Sequence, residues 1–498
     1  MTRAPYLPAL LVATGLVAQT APQAPAAQPQ NAEKLTLQEA IQTALKNNLQ
    51  VSIAEQNREL AKGNLLFNEG SFDWLLSASA NVSKTKDFVT TFNQGESTTT
   101  RRNLTVGLNK PFEWGGNVNV SYAPFYSLTT SQTPSPLNST YPYDGNFNAT
   151  YTQHLLSGFG KKASSTQLIV ARNGAKAADF QFQQSVIALV AQVESQYWDV
   201  VFARENLDNK QQSLALAQKQ LKENQIRVEV GTLAPIEVTS AEATVAQREQ
   251  DIIAAEAQLK NAVDALIRAL YPVEAQPAAL MAADEPAVGP LPLDEPAAEQ
   301  RALENRVEMK SAELDLESKK IQEDAAKNRL LPQLDLSLGY AGNAASSDRL
   351  SPVNSDLTDF KYPGYNVGLT FSIPIMNKAA RGNLAQARAN TRQSELSKRD
   401  LELGIRLQVR QAYRNVEAAA KGVAAAEKTR IFQEKTLEAE QKKFENGMST
   451  NFFVLQRQND LDTAKANELQ ARINYAKAVT ALEQATGNLL QARNLEIR

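Results

Sequence analysis

The two halves of this chain repeat each other, and this duplication constrains the fold more than any other feature of the sequence. In the central region, identical residues recur 216 positions apart, and nearer the start of each half they recur 258 positions apart. The first half therefore carries 42 extra residues. A repeat of this length is a duplicated domain, because solenoid units have only about 20 to 50 residues. The matching pairs include Gln192 and Gln408, Tyr197 and Tyr413, Gly231 and Gly447, Val238 and Val454, Leu266 and Leu482, Ala44 and Ala302, and Leu76 and Leu334.

The composition excludes several classes of function. The 52 basic and 54 acidic residues leave a net charge of −2, and they are spread along the chain, so we predict no nucleic-acid partner. Cysteine is absent and histidine occurs once, which excludes a thiol nucleophile and a Cys/His metal site. We interpret that residue, His154, as a strand-end residue. Most carboxylates fall on helical faces typical of solvated surface, so we predict no catalytic residues, metal or cofactor.

The first 27 residues are typical of a secretory signal peptide, with several alanines up to Ala27 that could precede the cleavage site. Arg3 precedes an apolar run over residues 7–17, which is shorter than the about 20 residues that span a bilayer. A leader over residues 28–34 follows. Elsewhere no 18 consecutive residues are apolar, so a chain that crosses a membrane would do so with strands.

Two very long helical hairpins are predicted, one in each half. Residues 161–229 contain no proline, and at about 1.5 Å per residue they form a rod of about 100 Å. An apolar residue every seven positions predicts a coiled-coil seam. In the first half this series is Val186, Val193, Val200, Leu207, Leu214, Leu221 and Val228, then Val238, Val245, Ile252, Leu259 and Leu266. In the second half it is Val409, Val416, Val423, Leu437 and Phe444, then Val454, Leu461, Tyr475 and Leu482.

Strands with one apolar and one polar face lie between the helices of each half. A half-buried strand of a soluble sheet has the same alternation. The long helices, however, use their narrow seams on each other, so we expect lipid to cover the apolar faces. Aromatic residues near the loops are typical of membrane-interface girdles. The apolar faces are Leu76 to Val82 and Phe147 to Leu155 in the first half, and Leu334 to Tyr340 and Val367 to Ile375 in the second, at every other residue.

These segments give four strands per chain, and six if residues 104–112 and 117–126 pair as an extra hairpin within the surplus. Bacterial barrels need at least eight strands, so several copies must share one barrel. We therefore predict a mixed α and β fold in which duplicated halves give a shared β-barrel continuous with a long coiled-coil α-helical barrel. The predicted segments are a first repeat over 35–272, a Pro/Ala-rich linker over 273–296, a second repeat over 297–490 and a tail over 491–498.

Three short motifs resemble the TolC-like family of outer-membrane efflux proteins. Residues 35–41 (LTLQEAI) and 44–48 (ALKNN) are similar to the first-helix signature of that family. Residues 325–334 (AAKNRLLPQL) are similar to the helix-to-strand turn of its second repeat, and residues 153–160 (QHLLSGFG) to its strand-to-helix junction. His154 stands where relatives often have proline. The resemblance covers the chain from about residue 35 to about residue 490.

The resemblance implies a homotrimer with a 12-stranded barrel in outer-membrane lipid and a helical barrel across the periplasm. It also implies a passive exit duct that receives substrates from a periplasmic adaptor protein and an inner-membrane transporter. In such proteins the hairpin tips meet the adaptor. Here those tips are Val230, Gly231 and Thr232 near residue 231, and Asn446, Gly447 and Met448 near residue 447.

The periplasmic aperture of the family is often ringed by carboxylates six and nine positions beyond the second tip glycine. Those positions here are Phe453 and Gln456, so we expect an apolar constriction by Phe452 or Phe453 instead of an acidic gate. The first repeat keeps an acid, Glu237, six positions beyond its glycine.

Two other readings remain open from the sequence. A periplasmic coiled-coil adaptor or scaffold without a pore would share the helical hairpins, but it would not need two copies of alternating strands. An enzyme would need a nucleophile paired with a base, and the sequence offers none. The transported substrate, and the choice between drug efflux and protein secretion, stay undetermined.

Overall fold

The computed structural model describes residues 33–89, 95–131, 141–272, 280–286, 288–289 and 294–495. The predicted signal peptide, most of the leader and half of the linker lie outside the described residues. The helices are α1 (Leu37–Asn47), α2 (Leu49–Gly70), α3 (Lys161–Ser164), α4 (Thr166–Glu229), α5 (Ile236–Leu270), α6 (Glu295–Asn305), α7 (Val307–Asn328), α8 (Leu350–Thr358), α9 (Lys378–Glu445), α10 (Asn451–Ala485) and α11 (Leu489–Ala492). The strands are β1 (Glu33–Leu35), β2 (Leu75–Val89), β3 (Gly95–Pro111), β4 (Gly116–Ser131), β5 (Tyr143–His154), β6 (Leu280–Ala282), β7 (Gln333–Ser346) and β8 (Pro363–Ser372).

Six long strands form one antiparallel sheet in the order β2-β3-β4-β5-β7-β8. The extra hairpin that the sequence leaves open is therefore present as β3 and β4, and it lies between the two strands of the first repeat. Because four strands per chain suffice for a 12-stranded barrel of three copies, this chain has two strands more than the resemblance implies.

The register of the sheet places most of the large apolar residues of the six strands on one face. Directly paired residues of an antiparallel sheet share a face, and the chain of pairs Ala78–Val106, Val106–Tyr122 and Tyr122–Phe147 links four strands. The pairs Tyr151–Leu338 and Leu338–Val367 extend the same face to β7 and β8. The predicted alternation is confirmed, except that β5 ends at His154 and β8 ends at Ser372, so Leu155, Ile373 and Ile375 lie beyond the strands. Pro374, which has no backbone N–H, explains the end of the strand there.

Helix α8 and Phe360 cover the loop end of this apolar face. Val353 and Leu357 are buried against the sheet, and a side chain larger than hydrogen at Gly145 would collide with both. The rings of Phe360 and Tyr340 lie 5.6 Å apart in an edge-to-face arrangement. The aromatic girdle expected near the loops is thus a packed cluster.

The four long helices form two hairpins of unequal packing. Helices α4 and α9 have 64 and 68 residues, which gives rods of about 100 Å. Next to the sheet, α4 and α7 lie between α2 and α9, and towards the tips α4 and α10 lie between α5 and α9. The lateral helices of the chain are therefore α2 and α5 on one side and α9 on the other.

The predicted heptad seam is confirmed throughout the second hairpin and only in part in the first. All nine apolar residues of the second series are buried, from Val409 to Leu482. In α4 the series is buried from Val186 to Leu207, but beyond that point its members are only half-buried. The residues that α4 buries there are Ser213, Ala217, Gln220 and Asn224. This stretch of α4 therefore leaves part of its apolar stripe available to a neighbour outside the chain.

Tyr197 fastens the middle of α4 to the start of the first repeat and to the residues before the second. Its hydroxyl accepts hydrogen bonds from the backbone N–H groups of Ala283 at 3.0 Å and Asp284 at 3.1 Å. The hydroxyl oxygen lies 3.0 Å from the carbonyl oxygen of Leu35 and 2.9 Å from the carboxylate of Asp284, which are the two acceptors within reach of its proton. Burial raises the pKa of Tyr197 to about 12, so the hydroxyl stays neutral and keeps its proton. Strand β6, within the predicted linker, pairs in parallel with β1 here.

The end of the chain is also part of the fold. The predicted tail begins inside α11, and Arg493 donates to both carboxylate oxygens of Glu194 at 2.6 and 2.9 Å. Glu194 is fully buried and also accepts from the hydroxyl of Thr480 at 2.6 Å. The tail therefore contributes the counter-charge for a buried carboxylate on α4. The sequence predicted carboxylates on a solvated surface, where no such partner is needed.

No helix in the described part of the chain is long and apolar enough to span a membrane.

We predict that Tyr197→Phe lowers the stability of the protein by about 1 to 3 kcal/mol, because the backbone N–H of Asp284 loses its acceptor and that of Ala283 keeps only the carbonyl oxygen of Leu35. The measurement is thermal unfolding in detergent, followed by circular dichroism. The duplication supplies the control, since the matching Tyr413 makes no hydrogen bond through its hydroxyl within the described residues and Tyr413→Phe should change little. Equal effects of the two substitutions would contradict this account of Tyr197.

Candidate functional site

Each long hairpin reverses through the same backbone motif. Helix α4 ends at Glu229, and the N–H groups of Gly231 and Thr232 donate to the carbonyl oxygens of Val228 at 3.0 Å and Arg227 at 2.8 Å. This is a Schellman motif, and it requires a left-handed residue after the helix. Gly231 supplies it with φ of 77°.

The second hairpin repeats this geometry bond for bond. Helix α9 ends at Glu445, and Gly447 adopts φ of 72°. The N–H groups of Gly447 and Met448 donate to the carbonyl oxygens of Phe444 at 3.1 Å and Lys443 at 2.8 Å. The duplication therefore extends to the hydrogen bonds of the turns, and glycine is required at both positions because other L residues are strained there.

The six predicted tip residues are all exposed. A Cβ atom added at either tip glycine would meet nothing within 4 Å, so the space around both turns is open. Val230 is 66% and Met448 71% exposed, and Ile226 and Ile236 are exposed beside them. Open backbone with clustered apolar side chains is a feature of protein-binding surfaces.

The two tips lie side by side. The guanidinium of Arg227 lies 4.6 Å from the centre of the Phe444 ring, which joins the end of α4 to the end of α9. The amide of Asn451, at the start of α10, donates to the carboxylate of Glu237 at 3.2 Å. Glu237 is thus half-buried and holds the start of α5 to the start of α10.

The predicted aperture residues Phe452 and Phe453 form one exposed aromatic pair. Their ring centres lie 5.6 Å apart at an angle of 74°, and the side chains are 63% and 45% exposed. Gln456 is exposed on the next turn of α10. The structure therefore groups the three residues on one exposed part of α10, while Glu237 belongs to the contact between the hairpins.

The sequence did not predict a buried network of charged side chains that lies behind the tips. Arg248 of α5 is only 7% exposed, and it pairs with Asp462 of α10 at 3.1 Å and with Asp251 at 3.6 Å. Ser213 of α4 donates to the same Asp462 at 2.5 Å. Three helices from both repeats meet there.

A sequence signal for this network exists in a second heptad series of α5. Ala241, Arg248 and Ala255 lie seven residues apart, and all three are buried. The two alanines leave space along this line, which the long arginine side chain fills. The duplication does not reveal the site, because the positions that match Arg248 and Asp462 are Ala464 and Ala246.

The remaining polar candidates have structural explanations. Nδ1 of His154 lies 2.6 Å from the Asp335 carboxylate, across the strand pair β5–β7, as a strand-end residue would. Within the described ranges no group of three or more His, Cys, Asp or Glu side chains could hold a metal ion.

Comparisons with known proteins agree on one family. The sequence profile of outer membrane efflux proteins matches residues 126–270 and 298–488. The chain is similar to the outer membrane protein TolC of Vibrio cholerae, with 26% identity over 339 residues, which cover 68% of this chain and 76% of that protein.

Solved structures share the fold at lower sequence identity. The outer-membrane channel OprN superimposes with a TM-score of 0.69 and 15% identity, over 91% of this chain and 90% of that one. The CmeC outer membrane channel of Campylobacter jejuni gives a TM-score of 0.65 and 15% identity, over 93% and 90% of the two chains. Because the profile matches both repeats and more than half of the chain, the chain belongs to the outer membrane efflux protein family and is an outer-membrane protein that extends into the periplasm.

Proposed function

We propose that three copies of this chain form the passive exit duct of a tripartite efflux or type I secretion system. The duct would receive substrates from an inner-membrane transporter and a periplasmic adaptor protein and would release them outside the cell. The observation that carries this proposal is the pair of equivalent, exposed hairpin tips at the far end of helices about 100 Å long. A membrane-anchored sheet at one end and a docking surface at the other suit a conduit.

Exposed apolar stripes on both lateral edges of the helical layer support assembly with further copies. Helix α2 buries no residue, and its stripe is Leu49, Ile53, Leu60 and Phe67, each 61 to 77% exposed. On the opposite edge, α9 exposes Leu396, Leu403 and Leu407. Stripes of this size on a single copy would be unfavourable in water, so each suits the opposite edge of a neighbouring copy.

The tips are the proposed adaptor contacts. Val230, Gly231 and Thr232 form one contact and Asn446, Gly447 and Met448 the other. Their exposure and the open space around both glycines support contact with a partner backbone. Since the two turns have the same geometry, three copies would present six similar docking positions.

The aromatic pair of Phe452 and Phe453 is the proposed constriction at the periplasmic mouth. Exposed aromatic rings at the start of α10 would narrow a lumen without charge, and Gln456 would line the next turn. Glu237 would contribute by holding α5 against α10 through Asn451. We propose that opening requires these two helices to separate.

A pore-less scaffold is less well supported than a duct. The six-stranded sheet with one continuous apolar face has no counterpart in a coiled-coil scaffold. Ion conductance in planar bilayers discriminates between the two, because a scaffold would conduct no ions.

We predict that Phe452→Ala with Phe453→Ala raises the single-channel conductance at least about twofold, because two rings leave the narrowest part of the path. The control is Phe432→Ala, which removes an exposed ring from α9 at a distance from the tip. Unchanged conductance in the double variant would show that these rings do not form the constriction.

We predict that a photocrosslinking amino acid at Val230 or Met448 captures the periplasmic adaptor in living cells. Both side chains are exposed at the tips, whereas the control position, Ile253, is exposed in the middle of α5. Mass spectrometry identifies the crosslinked protein. Capture that is equally efficient from Ile253, or absent from both tip positions, would contradict the tip as the adaptor contact.

A further inference from the structure

The surplus hairpin of the first repeat is built into the sheet along its whole length. Strand β2 pairs with β3 from Leu75–Asn109 to Val89–Gly95 without a break. Strand β4 pairs with β5 from Gly116–Gln153 to Tyr126–Tyr143. In consequence β2 and β5, which flank the hairpin in the chain, do not pair with each other. The second repeat has no such insertion, because β7 pairs directly with β8.

The turn of the hairpin is fastened to both helix–strand junctions at its periplasmic end. On one side, the ammonium of Lys110 donates to the carbonyl oxygen of Phe72, just before β2. On the other side, the N–H groups of His154 and Gly160 donate to the carbonyl oxygens of Gly115 at 3.3 Å and Trp114 at 3.1 Å. These bonds hold the hairpin in the same layer as the other strands. They also prevent it from folding into the lumen.

The hairpin also continues both faces of the sheet. Its apolar residues Val106, Val120 and Tyr122 lie on the face of Ala78 and Phe147, where lipid is expected. The opposite face of the hairpin carries residues such as Asn103, Asn109, Asn117 and Asn119. A hairpin with one apolar and one polar face suits the wall between lipid and water.

The two edges of the sheet are suited to each other. All six strands alternate in direction, so β2 and β8 run antiparallel. A further copy placed beside the first would therefore bring its β2 antiparallel to β8. Both edge strands are exposed along nearly their whole length, and both carry their apolar residues on the same face. Within a bilayer, unpaired edge N–H and C=O groups are strongly unfavourable, because no water is present to pair with them.

We infer that β8 of each copy pairs with β2 of the next copy, and that the trimer closes a barrel of eighteen strands instead of twelve. The count rests on the trimer of the proposed function, since three copies of a six-stranded sheet give eighteen strands. With strands about 4.8 Å apart and tilted by about 40°, the backbone diameter is about 36 Å, against about 24 Å for twelve strands.

Disulfide crosslinking tests the position of the hairpin, because the natural chain contains no cysteine. Ser79 and Thr105 are directly paired on the polar face of β2 and β3. We expect Ser79→Cys with Thr105→Cys to form a disulfide within one chain in isolated outer membranes. If the hairpin lay outside the barrel, Ser79→Cys would instead crosslink to Asn148→Cys, Thr150→Cys or Thr152→Cys on β5. In the inferred barrel these positions are about 14 Å away, beyond disulfide reach.

A second set of crosslinks tests whether β8 of one copy pairs with β2 of the next. Cysteines at Ser77, Ser79 or Asn81 of β2 are combined in turn with cysteines at Asn366, Gly368 or Thr370 of β8, because all six positions lie on the polar face. We expect at least one combination to give covalent trimers on a denaturing gel. Matched cysteines at Asn119 and Thr150, which pair inside the sheet, should give monomers only. Absence of covalent oligomers from all nine combinations would overturn the pairing of β8 with β2.

Electron cryomicroscopy of the natural protein measures the barrel, and native mass spectrometry counts the copies. A trimer with a barrel of about 36 Å supports the inference. A trimer of about 24 Å overturns the inference and leaves the proposed function intact. An assembly that is not a trimer overturns both, and the mass alone identifies that case.

Discussion

The need to pair every backbone hydrogen-bonding group in the membrane governs the rest of this structure. A single copy has a six-stranded sheet with two free edges, β2 and β8. Six strands are too few to close on themselves, and free edges are costly in lipid. The chain can satisfy these groups only through other chains. Assembly is therefore a condition of membrane insertion, and the arrangement of the helices has to be compatible with it.

The helical layer also needs neighbouring copies, because it exposes apolar side chains. Helix α2, which leads into β2, and helix α9, which follows β8, both expose apolar stripes. The interface between copies would thus continue from the sheet into the helices along one line. The second hairpin buries its own seam, whereas the first leaves the distal part of its seam half-buried. The two repeats share a backbone and differ in how much of their apolar surface remains for neighbours.

The sequence predicts the helices and strands of this fold better than it predicts which of them pack against each other. A period of two residues predicts the faces of the strands, and a period of seven predicts the seam of the second hairpin. The structure confirms both predictions. The tip turns also follow from sequence, because Gly231 and Gly447 mark them in both repeats. Periodicity does not reveal which helix faces which, however. The heptad series of α5 marks Arg248 as a buried position, but it does not reveal that Arg248 bonds to Asp462 across the two repeats, and no period reveals the buried polar line of α4 from Ser213 to Asn224.

The direction of the chain restricts how such a barrel can grow. Helix α2 delivers β2 to the periplasmic rim of the sheet, and β5 must return to that rim because α3 and α4 follow it. Each added strand reverses the chain, so only an even number can be inserted between β2 and β5. A single extra strand would leave α4 on the wrong side of the membrane. The 42 extra residues accompany one hairpin, β3 and β4, so the number of inserted strands is even. In a symmetric trimer the barrel therefore grows by six strands in a single step.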